Sequence, residues 1–242
     1  MLRTVLHLTA APIALGRVAA SARVRRLGTL TSVHTHEPVV ALTFDDGPHP
    51  EHTPRLLDIL RRHGARATFF VIGERVERAR EVTRRIVDEG HALANHTWSH
   101  ARMTEVSSTR RREEIRRCAQ AIAPLGGLPL FRPPQGQQSV ASRLDIHRAG
   151  HDCVAWSAHI EDWLAQSPAT LTARLRSAIA PGAIVVLHDA IWDPMEEGAE
   201  DREALLTAVE TVLSERSGDT RFVTVPELQV MGSDLRKAWI TT

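Results

Sequence analysis

Tyrosine is absent from this 242-residue chain, and aromatic residues make up only 4% of it. Any surface that stacks rings must therefore be built from five Trp and five Phe. Cysteine is almost as scarce. Cys118 falls in a helical pattern and Cys153 in a strand pattern, each reading as a small buried apolar residue, so no disulfide framework is expected. Two such residues leave the compartment undecided. Net charge is nearly missing too, +1 in total, so nothing marks nucleic acid or an anionic surface as the main partner. Arginine dominates the basic set but is spread over helical faces. There is no repeat, low-complexity tract or long linker, hence no internal domain boundary. With 43% hydrophobic and 24% charged residues, the composition is that of a globular domain with a sizeable core.

No apolar run is long enough to span a bilayer. The nearest candidate, Val5 to Leu15, follows Arg3 and precedes Ala20-Ser21-Ala22, the outline of a secretory signal with its cleavage site. His7, Pro12 and Arg17 interrupt the pattern, and Arg23, Arg25 and Arg26 follow it. Two expectations stand side by side: an exported or cell-envelope protein, or a cytoplasmic one.

From Val39 onward, strand and helix signals alternate. Strands are expected at Val39–Phe44, Ala67–Val71, His91–Asn95, Leu130–Arg132, Asp152–Ser157, Ala183–Leu187 and Arg221–Val225. Helices are expected over Thr53–His63 with Thr53 as N-cap, Glu74–Glu89, Ser107–Ala123, Val140–Ala149, Pro168–Ala180 and Asp201–Ser214. About seven βα units imply a parallel sheet, closed or open, with functional residues at the carboxyl ends of its strands.

The unusual polar residues fall at those ends. In Thr43-Phe44-Asp45-Asp46-Gly47-Pro48, an apolar strand runs into two adjacent carboxylates and a turn. Two ionised Asp side by side repel one another and are costly to desolvate, which a bound cation would offset. Because successive side chains on a strand diverge, one Asp can hold a cation while its neighbour faces a substrate. His96 and His100 follow the third strand, and in a helical turn they would share one face. With Asp46 they make a two-His, one-carboxylate set that leaves coordination positions open, as a catalytic metal requires. Zn²⁺ is the expected ion, with Co²⁺, Ni²⁺ or Mn²⁺ as alternatives. Arg132, Asp162-Trp163 and His188-Asp189 mark three further strand ends.

These motifs resemble the polysaccharide deacetylase family, the NodB homology domain of carbohydrate esterase family 4. Thr43–Pro48, His96–His100, Arg132-Pro133-Pro134-Gln135-Gly136, Asp162-Trp163 and Val186-Leu187-His188 occur in the family's order. The resemblance implies a distorted, TIM-like (β/α) barrel of seven parallel strands and metal-dependent removal of acetyl groups from N-acetylated sugars. It implies Asp46, His96 and His100 as metal ligands, Asp45 as general base and His188 as general acid. It implies that Arg132 orients Asp45 and that Asp162 tunes His188. Pro133, Pro134, Gln135, Trp163 and Val186 would line the substrate site, the last two walling an acetyl pocket. The catalytic domain would span 37–230, between a leader or signal segment, 1–36, and a tail, 231–242. Departures from the family pattern occur at Gln135, where an aromatic residue is usual, at His159, where an acidic one is common, and at Val186, usually Leu. The expected substrate is a chitooligosaccharide, peptidoglycan or a related glycan. The alternatives are a small non-sugar amide, or glycan binding without catalysis.

Overall fold

A computed structural model describes residues 28–238. The signal-like segment, 1–22, lies outside them. In the interior of the parallel sheet lies β2, Val39–Asp45, which is buried at every position. That pattern belongs to a parallel strand covered on both faces. β2 pairs in parallel with β3 (Ala67–Val71) on one side and β8 (Ile184–His188) on the other. Beyond β3 come β4 (Ala92–Asn95), β5 (Leu130–Phe131) and β6 (Asp152–Cys153); beyond β8 comes β7 (Ala158–His159). All seven run parallel. A short eighth strand, β9 (Arg221–Phe222), adds to the start of β2.

The expected strand Asp152–Ser157 is cut in two, and the cut closes the fold. β6 pairs with β5, whereas β7 pairs with β8, so the two ends of the curved sheet are joined by residues 154–157. Val154 bonds Phe131 and Ser157 bonds Ile184 through their backbone N–H groups, each at 2.9 Å, so the segment crosses from one edge to the other. This makes the barrel distorted.

Eight α-helices lie among the described residues. α1 (His52–Arg62), α6 (Pro168–Ala178) and α7 (Glu203–Glu215) bury apolar faces against the outside of the sheet. The expected helix Glu74–Glu89 is two helices, α2 (Gly73–Arg78) and α3 (Arg80–Asp88), broken at Ala79. No Gly or Pro marks the break; Thr83 instead takes the Ala79 carbonyl with both its N–H and its hydroxyl, each at 3.0 Å. α4 (Ser108–Ile122) begins at Ser107, whose hydroxyl accepts from Arg110 N–H. α5 (Val140–Arg148) has a Ser139–Ser142 capping box, and Ser167 caps α6. Thr53 is not a cap: α1 starts one residue earlier, after Glu51.

Side chains alternate across each strand. On β2, Val40, Leu42 and Phe44 join the outer core with Leu56, Val185 and Leu187, while Val39 and Ala41 join the inner core with Phe70, Ala94 and Ile184. The inner face then turns polar at Thr43 and Asp45, and on β8 the same alternation leads through Val186 to His188. The hydrophobic interior thus ends in polar residues at one end of the barrel.

The other end is closed by a ribbon of β1 (Thr29–His34) and β10 (Ser233–Lys237), with α8 (Val225–Val230) beside it. The ribbon unites segments that the sequence reading set apart as leader and tail. Arg236 fixes it to β6 through two bonds to Asp152, 2.7 and 2.6 Å. Gly182 lies against β1 with φ +76, and a Cβ there would overlap the Val33 carbonyl oxygen. Gly182→Ala should destabilise the fold by roughly 2–4 kcal/mol, from overlap and left-handed strain together. The measurement is the denaturant midpoint; an unchanged midpoint would show that the ribbon does not press on this turn.

Candidate active site

Asp45 is the last residue of β2 and is only 3% exposed. Its Oδ1 accepts from Arg132 Nη1 at 2.6 Å. Arg132, itself fully buried, follows β5 and is held by Thr43 Oγ1 at 2.7 Å, the Ala155 carbonyl at 2.8 Å and the face of Phe70 at 4.1 Å. A guanidinium in that cage has little freedom, so it fixes the carboxylate it meets.

Asp46 begins the loop after β2 and has φ 69, a left-handed conformation rare outside Gly. Its Oδ2 accepts from Trp192 N–H at 3.0 Å, whereas its Oδ1 is buried with no hydrogen-bond partner. His96 Nε2 lies 3.4 Å and His100 Nε2 3.2 Å from that oxygen. His96 Nδ1 faces the Arg132 carbonyl at 2.7 Å, so it carries the proton and leaves a lone pair on Nε2. Two imidazole nitrogens therefore converge on an unpartnered carboxylate oxygen, all three atoms lying within 4.8 Å of one another. This donor set fits a divalent cation of borderline character. Burial would raise the Asp46 carboxyl, but in metal-free protein the adjacent rings, His100 first and then His96, hold it well below the usual carboxylate range when they carry a proton toward it.

The pair is not brought together by a helical turn. Residues 96–100 form an irregular loop in which Thr97 has φ 71 and His100 φ 54. The strain is held by neighbours. Asn95 Oδ1 accepts from Thr97 N–H at 2.9 Å, and the buried Glu114 of α4 accepts from the N–H groups of Trp98 and Ser99 at 2.9 and 2.8 Å.

His188 ends β8 directly beside Asp45, its register partner on β2. Its Nδ1 meets Asp162 Oδ1 at 3.0 Å and its backbone N–H donates to Asp162 Oδ2 at 2.8 Å, leaving Nε2 for a substrate. Asp162 is 1% exposed and also accepts from buried Arg202, on Oδ2 at 3.1 Å and on its carbonyl at 2.7 Å. Burial pulls the His188 ring down, but Asp162, aided by Asp46 and Asp45, outweighs it and pushes the ring up to about 9.

A further group braces the Asp46 turn. Asp189 is buried against Gly47, where a Cβ would overlap its carboxylate. Thr53 donates a short hydrogen bond to Asp189 and accepts from His49 N–H at 2.7 Å, which is why it lies inside α1 and not at its cap. Arg75 joins the Asp46 and Ile191 carbonyls, each at 3.0 Å.

The predicted residues thus converge in three linked groups: Asp45 with Arg132, Asp46 with His96 and His100, and His188 with Asp162. Trp163 stands edge-on to His188 at 5.8 Å and beside His159 at 5.4 Å. Val186 is buried two residues before His188 on the same face, and Pro133 and Pro134 are buried after β5. Gln135 is exposed with φ 56, and among the described residues no side-chain hydrogen bond ties it to the triad. Arg202, Glu114, Thr53 and Arg75 were not legible as site residues. Each lies in a helical pattern where a charged or hydroxyl side chain reads as solvated, and only the long-range fold turns it inward.

Residues 32–154 match the family described as polysaccharide deacetylase. The chain is similar to a peptidoglycan-N-acetylglucosamine deacetylase of Bacillus cereus, 35% identical over 200 residues, 81% of this chain and 90% of that protein. It is similar to a chitooligosaccharide deacetylase of Bradyrhizobium sp., 40% identical over 161 residues, 65% of this chain and 73% of that one. Among solved structures it resembles a peptidoglycan N-acetylglucosamine deacetylase in complex with 4-naphthalen-1-yl-N-oxidanyl-benzamide. That likeness has a TM-score of 0.73 and 30% identity, covering 82% of this chain and 91% of the other.

Two outcomes are expected. In protein stripped of metal by chelation, NMR titration of the His188 ring gives a pKa near 9, and Asp162→Asn moves it toward the ordinary histidine value. Because the folded value is raised, the stability this ring contributes is complete below about 6.5 and lost as pH rises through about 9. A titration unmoved by Asp162→Asn would contradict the coupling. Gly47→Ala should displace Asp189 and cost roughly 1–3 kcal/mol of stability, read by thermal unfolding; a neutral substitution would show that the turn is loosely packed.

Proposed function

The chain belongs to the polysaccharide deacetylase family, and from that premise we propose that it is a metal-dependent hydrolase removing N-acetyl groups from a glycan built on N-acetylglucosamine. The observation that carries this reading is the meeting of His96 and His100 Nε2 with the unpartnered Asp46 Oδ1, beside an Arg-held Asp45. Asp46, His96 and His100 would hold a divalent ion, which would supply Lewis-acid polarisation of the acetyl carbonyl and lower the pKa of water from about 15.7 to about 7. Zinc suits two nitrogens and one carboxylate best, with Co²⁺, Ni²⁺ or Mn²⁺ as alternatives.

The chain's own residues do the rest. Arg132 occupies Asp45 Oδ1, so Oδ2 is the oxygen that accepts a proton from the attacking water. The turn bonds from Gly136 and Gln137 to the carbonyls of Pro133 and Pro134 consume those N–H groups, and the oxyanion role falls to the Gln135 N–H. Asp162 favours the charged form of the His188 ring, and the ring's Nε2 delivers a proton to the departing nitrogen. Asp162 and Arg202 keep that ring oriented without touching substrate. Water and amide become acetate and free amine; of the two protons released, one taken from water by Asp45 and one shed by the nascent acetic acid, one restores His188 and the other passes to solvent. Trp163 and Val186 border the acetyl methyl.

Acetate release from N-acetylated chitooligosaccharides and from peptidoglycan tests the reading. Chelation should abolish release and added Zn²⁺ or Co²⁺ restore it. Asp45→Asn should lower kcat by roughly 10²–10⁴-fold. Undiminished release from the Asn variant, or from metal-free protein, would refute the mechanism. Turnover confined to small non-sugar amides would move the substrate class, and glycan binding without release from metal-replete protein would make the chain a binding protein.

A further inference from the structure

Trp192 lies four residues beyond His188 on the loop after β8 and is partly exposed, in a chain that has few aromatic residues to spare. Its backbone N–H is fixed on Asp46 Oδ2 at 3.0 Å. The Arg75 guanidinium lies over its ring at 5.3 Å, and Arg75 is itself anchored on the carbonyls of Asp46 and Ile191. On its other neighbour, His100, the ring centroids are 6.0 Å apart with a 38° tilt. The indole is therefore held by its backbone and by two neighbours of its ring, Arg75 and His100, the latter a member of the metal triad.

Packing does not explain it. Trp98, the core indole of the same region, is 6% exposed and lies under Arg117 at 3.9 Å. Trp192 instead is partly exposed beside His100, and residues 193–198 that follow it are exposed. A rigid indole loses little conformational entropy on contact, and its apolar face matches the C–H face of a pyranose ring. Trp163 gives the acid side of the site, at His188, an indole of its own. The triad side has its counterpart in Trp192.

We propose that Trp192 forms a stacking subsite for the sugar ring adjacent to the one being deacetylated, so that the protein selects oligomers of β-linked N-acetylglucosamine over the single sugar. This rests on the deacetylase reading for the position of the reacting sugar, but the stacking contact itself can be measured without turnover.

The experiment uses zinc-loaded, full-length Asp45→Asn protein, in which tetra-N-acetylchitotetraose binding is followed by calorimetry. Trp192→Ala in that background should weaken the tetramer roughly tenfold, and Trp192→Phe, which keeps an aromatic face, by no more than about threefold. Zinc content, by elemental analysis, should remain one per chain in both. Tetramer binding undiminished in the Ala variant, or equally diminished in Ala and Phe variants, would overturn the subsite. So would zinc loss in Trp192→Ala, which would assign the ring to support of the triad. Failure of the zinc-loaded protein to bind the tetramer at all would also overturn it. If instead the tetramer binds through Trp192 while the wild-type protein releases no acetate from it, the subsite stands and the deacetylase reading falls.

Discussion

An unpartnered carboxylate oxygen, buried between two imidazole nitrogens, sets the terms for the rest of this structure. Asp46 Oδ1 has no hydrogen bond, and His96 Nε2 approaches it as an acceptor because Nδ1 of the same ring is engaged by the Arg132 carbonyl. Two acceptors facing one another in a dry site, with the His100 nitrogen beside them, are unfavourable unless a cation lies among them. Much of the surrounding detail follows as support for that convergence. Left-handed Asp46, Thr97 and His100 are held by Arg75, Asn95 and Glu114, and the Gly47 turn is packed by Asp189.

The same convergence explains how two adjacent aspartates coexist. Asp45 points along the inner face of β2 to Arg132, while the reversal at Asp46 sends the next carboxylate to the histidines. One carboxylate is balanced by a guanidinium and the other by the cation that its partners imply. His188 stands one strand away, balanced in turn by Asp162, which leans on Arg202. Each charge with a role in the proposed reaction is thus tethered by a second charge that faces away from the substrate, so the reacting atoms are pre-positioned and their partners do the orienting.

The sequence made local features legible. Continuous apolar runs gave the strands, and polar residues at their carboxyl ends gave most of the site. The His96–His100 spacing pointed to a pair that the structure does bring together, but an irregular loop and not a helical turn joins them. What stayed hidden was long-range. Nothing local in Asp152–Ser157 says that its halves serve opposite edges of the sheet, and nothing near residue 202 says that this Arg is buried under Asp162. The ribbon that unites 29–34 with 233–237 was likewise invisible, because each strand is meaningful only beside the other. Thr53 looked like a cap because its local context fits one, yet its hydroxyl is spent on Asp189.

The central claim is that Asp46, His96 and His100 share one divalent cation. Anomalous diffraction at the zinc edge, from crystals of protein loaded with zinc, tests it most directly. The account predicts a single strong peak about 2.0–2.2 Å from both Nε2 atoms and from a carboxylate oxygen of Asp46. A zinc-loaded protein with no peak there, or with the ion bound elsewhere while these three side chains stay as they are, would contradict it.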